Sequence, residues 1–96
     1  MAQFNDVIHQ SVRLKIMAAL NALPFGEQLE FVRLRAIVDA TEGNLGAHLG
    51  TLENAGYIVV EKDFAGKKPR TRIAMSRTGK SAFDAHVAYL RSILSE

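Results

Sequence analysis

The stretch Thr41–Tyr57, TEGNLGAHLGTLENAGY, followed at once by a basic hairpin pattern, constrains this chain more than any other. Leu45, Leu49 and Leu52 recur at helical spacing, within about 60° of one another around a helix axis, which defines a narrow apolar stripe. Thr41 is placed to cap the first amides of a helix from about Glu42 to Asn54. Gly56 stands where a left-handed residue ends one. Tyr57-Ile-Val-Val-Glu-Lys then reads as a strand and Thr71-Arg-Ile-Ala-Met as its antiparallel return. Between them, Phe64 to Arg70 forms the loop, with Gly66 and Pro69 as turn residues. A leucine-backed helix joined directly to a cationic ribbon leaves few architectures open.

The remaining segments supply a frame for that unit. Ser11 reads as the N-cap of a helix over 11–22, with Val12, Ile16, Ala19, Leu20 and Leu23 along one face. Leu14 and Met17 widen its apolar surface. Phe4, Val7 and Ile8 suit residues 5–10 to an extra turn or to an arm that touches a partner. Pro24-Phe25-Gly26 ends the helix, and Gln28-Leu29-Glu30 suffices for one short strand. A second helix covers Phe31 to Asp39, with Phe31, Leu34, Ile37 and Val38 facing inward. The last helix spans 76–95 and carries two adjoining stripes, Phe83-Val87-Leu90-Leu94 and Ala82-His86-Tyr89-Ile93. Two stripes here, with the widened apolar surface of the helix over 11–22, exceed the needs of one small core, so Met17, Tyr89, Leu90, Ile93 and Leu94 are expected at a homodimer interface.

Size and composition bound the rest. Residues 1–96 make one domain, and 48% apolar content is enough for a single core. No apolar run reaches the roughly 18 residues of a membrane span. The first residues lack the features of a secretory signal. With no cysteine, disulfides and thiolate metal sites are excluded, and a cytoplasmic setting is expected. The net charge of +2 hides a strong segregation. Lys62, Lys67, Lys68, Arg70, Arg72, Arg77 and Lys80 crowd residues 62–80 against Asp63 alone, while the segments on either side are net acidic. Such a segment sets up a local positive field that suits a polyanion.

The helix after Thr41 turns Gly43, Ala47, Gly50, Thr51 and Asn54 away from its leucines, with Asn44 flanking them. Its slim polar side suits a DNA major groove, about 12 Å wide, which admits one helix. Asn44 carries an amide that pairs with adenine, and Thr51 offers a hydroxyl and a methyl. Glu42 either accepts from a cytosine amine or favours the positive helix end. Each glycine costs roughly 1 kcal/mol against alanine within a helix, so Gly43 and Gly50 are explained if the backbone approaches DNA closely. Lys67, Lys68 and Arg70 surround the turn, where long side chains reach phosphates or an adjacent minor groove, and Lys62 and Arg72 extend that surface. His48, at the edge of the leucine stripe, either donates to a phosphate or packs locally; Arg77 and Lys80 either touch DNA backbone or solvate the last helix. His9 and His86 lie far apart in sequence and form no ligand-spaced cluster, so no metal is expected. No nucleophile, phosphate loop or carboxylate pair points to an enzyme, and none implies a cofactor.

Asn44-Leu45-x-x-His48-Leu49-x-x-Leu52-Glu53-x-Ala55-Gly56-Tyr57-Ile58, then Lys68-Pro69-Arg70-Thr71 and Ser76-x-x-Gly79, resemble the small winged-helix regulators related to MarR and ArsR. The resemblance runs from about Ser11 to Leu94. It implies an α+β fold, a winged helix-turn-helix of three core helices and a β-hairpin wing, plus a C-terminal dimerisation helix. It also implies a dimeric, sequence-specific transcriptional regulator of double-stranded DNA, with residues 42–54 in the major groove and 62–72 as the wing. The cysteine pairs of thiolate metal sensors are absent here, which removes that kind of sensing. Two rivals stay open, a winged helix that binds protein and a nonspecific architectural DNA binder. With no separate ligand domain, any effector must use a dimer crevice or an unseen partner.

Overall fold

The computed structural model describes residues 2–95. Eight elements follow in order: α1 (Asp6–His9), α2 (Ser11–Asn21), β1 (Gln28–Glu30), α3 (Phe31–Val38), α4 (Glu42–Asn54), β2 (Ile58–Ala65), β3 (Lys68–Met75) and α5 (Arg77–Leu94). The strands form one antiparallel sheet in the order β1-β3-β2. Helices plus a small sheet ending in a long hairpin make this the α+β winged helix that the sequence led us to expect.

Local chemistry explains most boundaries. The extra turn expected near residue 5 is α1, whose Ile8 amide is capped by the Asn5 side chain. Gln10 rather than Ser11 caps α2, by accepting from the Arg13 amide, because the chain is already helical at Ser11. α3 stops at Asp39, which adopts a left-handed backbone with φ of 54°. Two residues later Thr41 opens α4 by accepting from the Asn44 amide at 3.1 Å. The turn between α3 and α4 is further closed by Arg35, whose Nε donates to the Ala40 carbonyl.

The core is continuous across the elements. Ile16, Met17 and Leu20 of α2 meet Leu34 and Val38 of α3, the Leu45-Leu49-Leu52 stripe of α4, and Ile58, Ile73 and Met75 of the sheet. Two expectations fail here. Met17 is 0% exposed inside its own chain, so it has no surface to offer a second subunit. Ile37 is 52% exposed rather than inward, because α3 is short and its buried face is set by Leu34 and Val38 alone.

α5 is docked at its start and free at its end. Ser76 caps it by accepting from the Gly79 amide at 2.9 Å, and donates to the Gly56 carbonyl at 2.6 Å. Phe83 and His86 are buried, Tyr89 and Leu90 are half-buried, and Ile93 and Leu94 are exposed. The N-terminal segment straps this helix down, for Gln3 donates to the Ala85 carbonyl and Phe4 packs on His9, His86 and Tyr89. His9 and His86, distant in sequence, thus meet with Nδ1 and Nε2 3.1 Å apart. Among the described residues, no helix is long and apolar enough to cross a membrane.

Candidate nucleic-acid interface

The outer side of α4 is thin and polar. Thr41, Glu42, Gly43, Asn44, Ala47 and Thr51 are all exposed, and His48 is half-buried. A Cβ added at Gly43 or Gly50 would find no neighbour within 4 Å, so nothing among the described residues requires glycine at either position. Thr51 donates its hydroxyl to the Ala47 carbonyl at 3.3 Å, which leaves its methyl and oxygen lone pairs for an outside partner. At helical spacing Asn44, His48 and Thr51 form one ridge along the flank nearer α2. Glu42 and Glu53 occupy the other flank, where with Gly46 and Gly50 they line a groove against Val60, Lys62 and Thr71 of the sheet.

No lysine or arginine lies on α4. Cationic attraction for phosphate therefore has to come from elsewhere. The hairpin that supplies it is longer than expected: strand pairing continues through Phe64↔Pro69 to Ala65↔Lys68, so only Gly66 and Lys67 form the turn. Because side chains alternate across a ribbon, this register sorts the basic residues onto two faces. Lys62, Phe64, Pro69 and Thr71 share the face that continues the core towards α4. Arg70 and Arg72 share the opposite face with Asp63, Glu61 and Glu30.

On that outer face the arginines are engaged. Arg70 grips Asp63 with two hydrogen bonds, Nε at 3.0 Å and Nη2 at 2.9 Å, and Arg72 adds a third at 2.7 Å. The hydrogen bonds from Arg70, with the charges of both arginines, hold the Asp63 carboxyl below its usual range. The wing's available cations are thus Lys62 on the groove side and Lys67 and Lys68 at the tip. Two residues left open by sequence are also engaged within the chain. Arg77 stacks on the Phe25 ring at 5.6 Å, and Lys80 reaches Asn21 and Asp84.

One contributor escaped the sequence reading. Arg13, on α2, donates from Nε to the Val7 carbonyl and places Nη1 3.1 Å from Nδ1 of His48. Burial first, and the Arg13 charge second, hold the His48 pKa below its ordinary value of 6.5. No local pattern announces a contact across that separation in sequence.

Comparison with known proteins agrees with this architecture. Residues 12–94 match the family described as winged helix DNA-binding domain. Over 84 residues the chain is 34% identical to an uncharacterised protein of Methanocaldococcus jannaschii, covering 88% of this chain and 84% of that one. A transcriptional regulator homologue from Pyrococcus horikoshii superposes with a TM-score of 0.84 at 25% identity, over 95% of this chain and 87% of that one. A MarR-family regulator from Silicibacter pomeroyi shares the fold at a TM-score of 0.70 and 15% identity, over 91% of this chain and 56% of that one. The two solved structures are described as a transcriptional regulator homologue and a transcriptional regulator. With most of its length matched, the chain belongs to the winged helix DNA-binding domain family.

Proposed function

We propose that this protein is a homodimeric transcriptional regulator of the cytoplasm that binds double-stranded DNA in a sequence-specific manner. One observation carries the reading: the exposed, small-residue side of α4 stands beside a ribbon whose tip carries Lys67 and Lys68. α4 enters the major groove with Thr41, Glu42, Asn44, His48 and Thr51 towards base edges and backbone, while Gly43, Ala47 and Gly50 permit close approach. The lysines of the wing contact flanking phosphates and fix register. Arg70 and Arg72 stay with Asp63 and contribute less than their number suggests.

The distal part of α5 supports self-association, since Ile93 and Leu94 are exposed beside half-buried Tyr89 and Leu90. Two subunits joined there present their α4 helices to successive major grooves, about 34 Å apart, on a palindromic site. The test is selection of bound duplexes from a random pool, then titration of the winner against a scrambled duplex. Enrichment of a symmetric motif is expected. Equal binding to both duplexes would leave an architectural binder, and absence of salt-sensitive binding would reject DNA as the partner. Sedimentation at micromolar concentration checks the dimer separately, and a monomeric mass with Leu94→Glu is the expected outcome.

A further inference from the structure

We propose that Arg13 is a positioning residue that fixes His48 as a neutral hydrogen-bond donor, through Nε2, on the DNA-facing ridge of α4. The inference rests on the DNA-binding reading above and assigns a role within that surface. A guanidinium carries only donors and keeps its proton at any ordinary pH. With Nη1 of Arg13 3.1 Å from Nδ1 of His48, that ring nitrogen has to present a lone pair. The ring proton of neutral His48 is therefore on Nε2, the distal nitrogen, which has no hydrogen-bond partner among the described residues.

Arg13 is itself held from the far side. Its Nε donates to the carbonyl of Val7 in α1, so the guanidinium reaches α4 from a fixed direction. Burial first, and the Arg13 cation second, disfavour the imidazolium of His48. Glu42 and Glu53, the carboxylates of α4, lie on the flank towards the sheet. His48 consequently offers DNA a directed N–H without a charge. Asn44 stands one turn before it and Thr51 about one turn after it on the same ridge. A directed neutral donor discriminates among acceptors by position, whereas a point charge attracts any phosphate. Two acceptors in duplex DNA suit it, a purine N7 in the major groove and a non-bridging phosphate oxygen.

The experiment has a tautomer arm and a binding arm. Nitrogen-15 spectra of the free protein are expected to show His48 as the Nε2–H tautomer, with its titration midpoint below 6.5. In Arg13→Met, which keeps the apolar stem, both tautomers are expected and the titration moves up towards the ordinary value. On a selected duplex, Arg13→Met and His48→Asn should each lose roughly tenfold in affinity, about the worth of one hydrogen bond. His48→Gln, whose amide nitrogen falls near the imidazole Nε2, should recover part of that loss. A single 7-deazapurine substitution that erases the His48 effect identifies a base acceptor; a methylphosphonate that does so identifies a phosphate. An Nδ1–H tautomer in the free protein, or equal affinity of wild type and His48→Asn, would overturn the proposal. If the wild type binds no duplex at all, the donor role falls with the DNA reading. The tautomer arm then reports separately whether Arg13 orders the ring.

Discussion

The carbonyl oxygen of Tyr57 sits so close to Gly79 that a Cβ on that glycine would lie 2.0 Å from it. The same oxygen accepts from the Ser76 amide at 3.0 Å. The start of α5 is thereby pressed directly onto the backbone that leads into β2. The atoms that this Cβ would meet are Tyr57 main chain, so they cannot swing aside as a side chain would. Gly79→Ala should therefore cost about 3 kcal/mol or more, at the upper end for overpacking. Urea unfolding of the purified variant checks this. A loss below about 1 kcal/mol would mean that α5 shifts cheaply.

Acid should loosen the strap between the N-terminal segment and α5. His86 is 0% exposed; its Nδ1 accepts from the Asn5 amide at 3.0 Å and its Nε2 faces His9. Burial first, and His9 second, push its pKa below the ordinary 6.5. Folding therefore favours the neutral ring, while the unfolded chain takes up a proton as pH falls through about 6.5. Stability from this group is complete above that value and declines as pH drops towards the folded pKa. Denaturation midpoints are expected to fall between pH 7.5 and pH 5. His86→Leu should flatten that part of the curve while lowering stability overall.

Glycines on the outer side of α4 set stability against binding. Gly43→Ala and Gly50→Ala meet open space, so each should raise stability by roughly 1 kcal/mol through helix propensity. Close approach of the backbone to DNA requires the same substitutions to weaken duplex binding. Thermal melts and binding titrations on the same preparations check both signs. Higher stability with unchanged affinity would remove the close-approach explanation.

Releasing the outer face of the wing should make DNA binding stronger and less selective. Asp63 engages both Arg70 and Arg72, and these partly exposed ion pairs contribute little to folding. Asp63→Asn is expected to leave stability within about 0.5 kcal/mol. It should also raise affinity for random duplex and steepen its salt dependence by up to about two counterions per subunit. Lys67→Glu with Lys68→Glu should do the opposite. Salt-dependent titration of all three proteins provides the measurement.

Residues within a turn or two of one another settled most elements in the sequence alone. Thr41 and Gly56 marked the two ends of α4, the apolar stripes placed the last helix from about residue 76, and Gly66 announced a hairpin; caps and periodicity act over a few residues, so they can be read without coordinates. The hairpin partition of Arg70 and Arg72 was nearly readable. A two-residue turn at Gly66-Lys67, in place of a seven-residue loop, would have paired Asp63 with Arg70. Other features needed the assembled fold. Periodicity marked Met17 and Ile37 as apolar but could not say that α3, α4 and the sheet would enclose the first and leave the second exposed. Arg13 meeting His48, and His9 meeting His86, depend on how α1, α2, α4 and α5 pack. The chain's local chemistry chose its helices and strands, whereas the neighbours of each side chain were decided only when distant elements closed over a common core.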